Sequence, residues 1–139
     1  MDELLEFLFN YAIDHGIGFV MMKDAKPNWP SVSVPDSGLI FINRNIANQN
    51  ELPFQVAHEI GHMICNEDYP QSNVSNTVKL KCEKQANEFA IELLLKYCRF
   101  TDNEIENPLE FMNEFDIPDK FQALIRSKFN LDSSESIAE

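Results

Sequence analysis

Several absences bound this chain before any motif is considered. Basic residues are scarce: 11 lysines and arginines stand against 23 aspartates and glutamates, a formal net charge of −12. A surface of that sign repels phosphate backbones, so direct nucleic-acid binding is not expected, whereas a protein partner is compatible with it. No apolar run approaches the roughly 18–20 residues that a membrane span needs, so no membrane partner is expected. The start, Met1-Asp2-Glu3-Leu4-Leu5-Glu6, is acidic where a secretory signal is basic. Cysteine is sparse: Cys65, Cys82 and Cys98 are odd in number and lack C-x-x-C spacing. They read as reduced, small buried hydrophobes in a cytoplasmic protein rather than a disulfide framework. There is no internal repeat, and 139 residues leave room for one domain.

What is present centres on Phe54-Gln55-Val56-Ala57-His58-Glu59-Ile60-Gly61-His62. It contains H-E-x-x-H. On a helix, residues four apart share a face, so His58 and His62 can both reach one ion. Glu59 is rotated about 100° from His58, beside that ion rather than on it. There it can take a proton from an attacking water as general base. Imidazole nitrogens suit zinc, which lowers the pKa of a coordinated water to about 7. The pattern points to metal-assisted hydrolysis. The competing reading is a surface helix whose histidines merely titrate, and a third ligand decides between them, since catalytic zinc sites have three protein ligands and an open position.

The candidate is Glu83. Over about residues 77–97 a second long helix is expected, with Ala86, Asn87, Ala90, Leu93, Leu94 and Tyr97 on the face that Glu83 begins. Lys84, Gln85, Glu88, Glu92 and Lys96 fall on the opposite, solvated side. A carboxylate at the head of an apolar stripe is expected to be buried, and a metal ion is its most economical partner. The alternative is an ion pair with Lys79. Asn87, one turn on, is placed to support a ligand by hydrogen bonding. Cys65 shares a face with the histidines but lies one turn beyond His62, too far to join them at a pitch of about 5.4 Å. His15 reads as a helix-terminal residue, Trp29 as a cap on the core and Tyr69 as a partly exposed loop tyrosine.

The remaining pattern predicts a helix over residues 2–15 stopped by Gly16, and strands at residues 17–22, 31–34 and 39–43, the last two joined as a hairpin through Pro35-Asp36-Ser37-Gly38. Asn50 is the expected cap of the H-E-x-x-H helix, with Pro53 in its first turn and its end near Asn66; Ser75 or Asn76 is the expected cap of the next. Gly61 is a poor helix former, explained by the close approach of another element. Asn107-Pro108 starts a short helix, and another runs from Pro118 to Phe129. This pair has a helix-turn-helix outline, but Lys120, Arg126 and Lys128 are too few for a DNA reader, so it is expected to pack on the core. The expected fold is α+β: one domain over residues 1–130, its small, mostly antiparallel sheet packed on the central H-E-x-x-H helix and a second long helix, with a disordered acidic tail at 131–139.

Phe54-x-x-Ala57-His58-Glu59-Ile60-Gly61-His62, followed by Glu83-x-x-Ala86-Asn87-x-Phe89-Ala90-x-x-Leu93-Leu94, resembles the ImmA/IrrE family of metallopeptidases. The resemblance implies a zincin-like domain, zinc held by His58, His62 and Glu83, and Glu59 as base. It implies a cytoplasmic protein substrate, a helix-turn-helix repressor, in phage or mobile-element regulation. Two features depart from the family: Leu95-Lys96 stands where Met-Pro is common, and a 139-residue chain has no room for an added DNA-binding domain. An edge strand at residues 39–43 is expected to hold substrate by strand addition. The alternatives are a non-catalytic antirepressor that sequesters a repressor, and a zinc hydrolase acting on a small molecule. The sequence leaves the oligomeric state open.

Overall fold

The computed structural model describes residues 2–68, 76–101, 105 and 107–138, with side chains described for 3–65, 76–101, 105 and 107–130. Helix α1 spans Asp2–Asp14. Its Leu4, Leu5, Leu8 and Ala12 recur at helical spacing and are buried. Gly16 ends it at φ +73°, and the Ile17 N–H donates to the Ala12 carbonyl at 2.8 Å. A left-handed residue is needed for that closure, and glycine adopts it without penalty.

Three strands follow: β1 (Gly18–Met21), β2 (Val32–Val34) and β3 (Leu39–Ile42). Their order is β1-β3-β2. β1 runs parallel to β3, Gly18 opposite Leu39 and Met21 opposite Ile42; β2 runs antiparallel, Val32 opposite Phe41 and Val34 opposite Leu39. The expectation of a mostly antiparallel sheet is therefore corrected to a mixed one. A parallel pair needs a crossover of about a dozen residues or more, and the stretch between β1 and β3 supplies it, carrying β2 to the far side. β3 is central, so it is not the free edge; β1 and β2 are. The hairpin closes through a 3-10 turn, Pro35–Ser37, with Gly38 left-handed at φ 66°.

Helix α2 covers Leu52–Asp68, two residues past its expected end. A 3-10 turn, Gln49–Glu51, leads into it, capped by the Asn48 side chain, which accepts from the Asn50 N–H at 3.1 Å. Asn48 thus caps this lead-in turn, inside which the expected cap Asn50 lies. α2 packs against α1, β2, β3 and the next two helices. Its Val56, Ala57 and Ile60 are fully buried; burying one such isoleucine stabilises by about 1.5–3 kcal/mol. Tyr69 and Ser75 lie outside the described residues.

Helix α3 spans Asn76–Phe100 and α4 spans Pro108–Phe115. Asn107 caps α4, accepting from the Glu110 N–H at 2.9 Å, and Asp116 ends it in the left-handed region at φ 47°. After a 3-10 turn at Asp119–Phe121, α5 runs Gln122–Ala138, carrying helical backbone past residue 130, where the tail was expected to begin. Phe111, Phe115, Ile117 and Ile125 join the core, so α4 and α5 pack on it as anticipated. Lys128 of α5 reaches Glu88 of α3 at 2.8 Å and also contacts Glu92. The fold class is α+β. Among the described residues no helix is long and apolar enough to cross a membrane.

Candidate metal centre and cleft

The site exists because α2 and α3 lie unusually close. A Cβ built on Gly61 would come within 2.9 Å of the Ala86 Cα and 3.0 Å of its carbonyl oxygen. Glycine in α2 and buried alanines at 86 and 90 in α3 permit that approach. The explanation offered for Gly61 holds.

At this crossing the side chains of His58, His62 and Glu83 meet. His58 Nε2 lies 3.0 Å from His62 Nε2 and 3.1 Å from Glu83 Oε1; His62 Nε2 lies 2.8 Å from Glu83 Oε2. The third side chain does reach the histidines, although its premise needs correction. Glu83 is not buried: its side chain is 53% exposed, against 17% and 20% for His58 and His62. It sits in the first part of α3, where the apolar stripe has barely begun.

With Glu83 as a carboxylate, which only accepts, hydrogen bonds among the three side chains do not satisfy this triangle. Each Nε2 offers either one N–H or one lone pair. If both rings donate to Glu83, two N–H groups confront each other across 3.0 Å. If one accepts from the other, it can no longer donate to the carboxylate. A cation facing all three lone pairs removes the conflict. Two imidazoles and a carboxylate are a normal donor set for zinc, whose bonds of about 2.0–2.2 Å put tetrahedral neighbours about 3.3 Å apart, close to the separations seen. His58, His62 and Glu83 form the candidate metal cluster among the described residues.

Burial is the strongest influence on His58 and holds its pKa below 6.5; Glu83 pulls it up, His62 adds to the lowering, and Asn87 beside it opposes. A neutral imidazole is the form that ligates. Among the described residues, His58 Nδ1 is buried without a hydrogen bond. Glu59 is not one of the three clustered side chains and is itself buried. Burial raises its pKa above 4.5, while His62 and the Ser33 backbone restrain the rise. Its Oε1 accepts the Ser33 N–H of edge strand β2 at 3.2 Å. A carboxylate held this way is a stronger base than an exposed glutamate.

His58, Glu59, Glu83 and Asn87 open onto a cleft of about 330 Å³. They form its polar part, Pro30 and Ser31 one wall, and Phe54, Pro118, Lys120 and Phe121 the other. The second wall was read only as packing surface, because periodicity tells which side chains are apolar and not which space they border. The first wall depends on Asn43, fully buried at the end of β3. Its Nδ2 donates to the Lys26 and Trp29 carbonyls, both at 2.8 Å, and its N–H donates to Ser31 Oγ at 3.1 Å. An asparagine directly after a buried apolar run was the available signal.

The other candidates fall away from the site. His15 closes onto Tyr11, with Nδ1 2.8 Å from the Tyr11 carbonyl. Trp29 is half-exposed and does not cap the core. The reading of three free thiols is overturned: Cys65 and Cys82 form a disulfide joining α2 to α3, with Cα atoms 5.8 Å apart, and Cys98 alone is free. The close helix crossing that unites the ligands also brings these two sulfurs together. Burial raises the Cys98 thiol to about 11.

Comparison with known proteins bears on the family. Residues 14–120 match the peptidase M78 family, described as an IrrE N-terminal-like domain. The metallopeptidase ImmA of Bacillus subtilis (strain 168) is 35% identical over 83 residues, 58% of this chain and 44% of the relative. The chain therefore spans less than half the length of that relative. No solved structure matches it.

Proposed function

Because this chain belongs to the peptidase M78 family, of the ImmA/IrrE kind, we propose that it is a zinc-dependent endopeptidase. Its substrate is proposed to be a cytoplasmic protein, a helix-turn-helix transcriptional repressor of a phage or mobile element. The observation that carries the reading is the convergence of His58, His62 and Glu83 within 3.1 Å of one another, beside a buried Glu59, in an open cleft. His58, His62 and Glu83 are assigned as ligands. When bound, zinc supplies Lewis acidity, polarising the scissile carbonyl and activating water near neutral pH.

The chain's own groups do the rest. Glu59 receives the proton of the attacking water and returns it to the leaving amine. Ser33 N–H fixes the Glu59 carboxylate on the cleft side of β2. Asn87, half-buried beside His58, steadies that ring. The β2 edge, rather than β3, is the strand available to hold an extended substrate. Phe54 and Phe121, 5.8 Å apart, offer an apolar wall for a side chain next to the scissile bond.

The test pairs the zinc-loaded chain with a helix-turn-helix repressor encoded beside its gene. Fragments that vanish with chelator support the reading. A stable complex without fragments would favour the non-catalytic antirepressor instead. Glu59→Gln is expected to retain zinc while cleavage falls by about 10²–10⁴-fold, measured by fragment appearance; undiminished turnover removes Glu59 from the mechanism.

A further inference from the structure

The elements holding the three ligands are anchored very differently. His58 and His62 sit in α2 between the fully buried Ala57 and Ile60 and the buried Met63. Glu83 has no such setting. Between Asn76 and Gln85 the only buried side chain is Cys82, and the next is Ala86. The contiguous apolar core does not take in α3 until Phe89 and Ala90. Within these early turns, Cys82 ties α3 covalently to α2 through its bond to Cys65. Cys82 directly precedes Glu83 in sequence, and Cys65 lies three residues past His62, on the same face of α2.

We propose that Cys65 and Cys82 are a positioning pair for Glu83, making metal affinity dependent on the redox state of the two thiols. The inference rests on the zinc reading above and deepens it with a form of regulation. Oxidised, the pair fixes the carboxylate against His58 and His62. Reduced, the turn that carries Glu83 loses its covalent tie to α2, and Glu83 leaves the triangle for part of the time. The chemistry balances by thiol–disulfide exchange. A small disulfide such as oxidised glutathione accepts two electrons and two protons from the two thiols, its S–S bond breaking as the Cys65–Cys82 bond forms. A dithiol reverses the exchange. Cys98, buried and with its thiol raised to about 11, stays protonated and does not take part.

The experiment uses the full chain, stripped of metal, in oxidised and phosphine-reduced forms distinguished by intact mass. Zinc affinity is read by competition with a chromophoric chelator, and thermal stability is recorded alongside. The oxidised form is expected to bind zinc about tenfold or more tightly, the scale on which supporting contacts act on metal sites. The double variant Cys65→Ser/Cys82→Ser is expected to show the weaker affinity under both conditions, even well below its unfolding temperature. Cys98→Ser should leave the difference intact. Equal affinity in the two forms, tighter binding by the reduced form, or a mass showing that the thiols do not pair overturns the proposal. A purely structural crosslink would change the unfolding temperature and leave zinc affinity alone. Failure to bind zinc in either form would instead remove the metal centre itself, and the latch with it.

Discussion

The two helices that build the centre contribute in opposite ways. α2 gives His58 and His62 from a turn locked into the core, each less than a quarter exposed; α3 gives Glu83 from a stretch that is mostly solvated. The same cleft thus joins a rigid half to a loosely held half. The packing that makes a protein stable orients the first, whereas the second draws on a close helix crossing and a crosslink. A ligand of the second kind is where a metal site can be tuned without unfolding the domain.

The sharpest way to break this comparison is to remove one ligand from each half. His62→Ala deletes a donor from the fixed pair and is expected to weaken zinc binding by more than the roughly 10–100-fold typical of losing a supporting contact. Glu83→Gln keeps an oxygen in place but loses the charge, and the loss is expected to be smaller, with His58 and His62 still at 3.0 Å. Chelator competition on both variants measures it. A larger loss for Glu83→Gln would mean that the exposed half dominates and would reverse the ranking.

Next in size is Gly61→Ala, which acts on the contact between the halves. Alanine gains about 1 kcal/mol in helix propensity, but its Cβ would sit 2.9 Å from the Ala86 Cα. The obstacle is backbone, which cannot rotate aside, and overpacking costs about 1–3 kcal/mol. A net destabilisation of about 1–2 kcal/mol is expected, measured by denaturant unfolding, together with weaker zinc binding as Glu83 moves off. Stabilisation by the variant would show that the helices are free to separate.

Much of this was legible in the residues. The H-E-x-x-H spacing fixes a face, the helical stripe leads to Glu83, and the glycine with two alanines foretells the close crossing. The stripe placed Glu83 correctly for a partly mistaken reason: it heads the apolar face, but that face is not covered so near the helix start. The parallel β1–β3 pairing was not legible, because short apolar strands carry no sign of direction. The disulfide could have been inferred. If His62 and Glu83 meet one ion, the residue a turn beyond the first and the residue just before the second must be neighbours. Counting cysteines argued against a framework and said nothing about a single pair. The Ser33 N–H on Glu59 is a backbone contact, and side-chain patterns do not encode it.

The smallest expected effect tests whether the loose behaviour is confined to the start of α3. Farther along, Lys128 of α5 reaches Glu88 and Glu92, and these hydrogen bonds raise its pKa above 10.5 despite the opposing effect of burial. A raised folded-state pKa means that the bridge contributes fully below about 10.5 and is lost as pH rises through the folded value. Exposed pairs are worth about 0–1 kcal/mol, so Lys128→Met is expected to lower stability at pH 7 by no more than that. The deficit should shrink in high salt and at alkaline pH. Zinc affinity should not change, because this bridge holds the part of α3 that the core already holds. If Lys128→Met weakened zinc binding as much as opening the disulfide does, α3 would be moving as one rigid rod, and the contrast between its two ends would be lost.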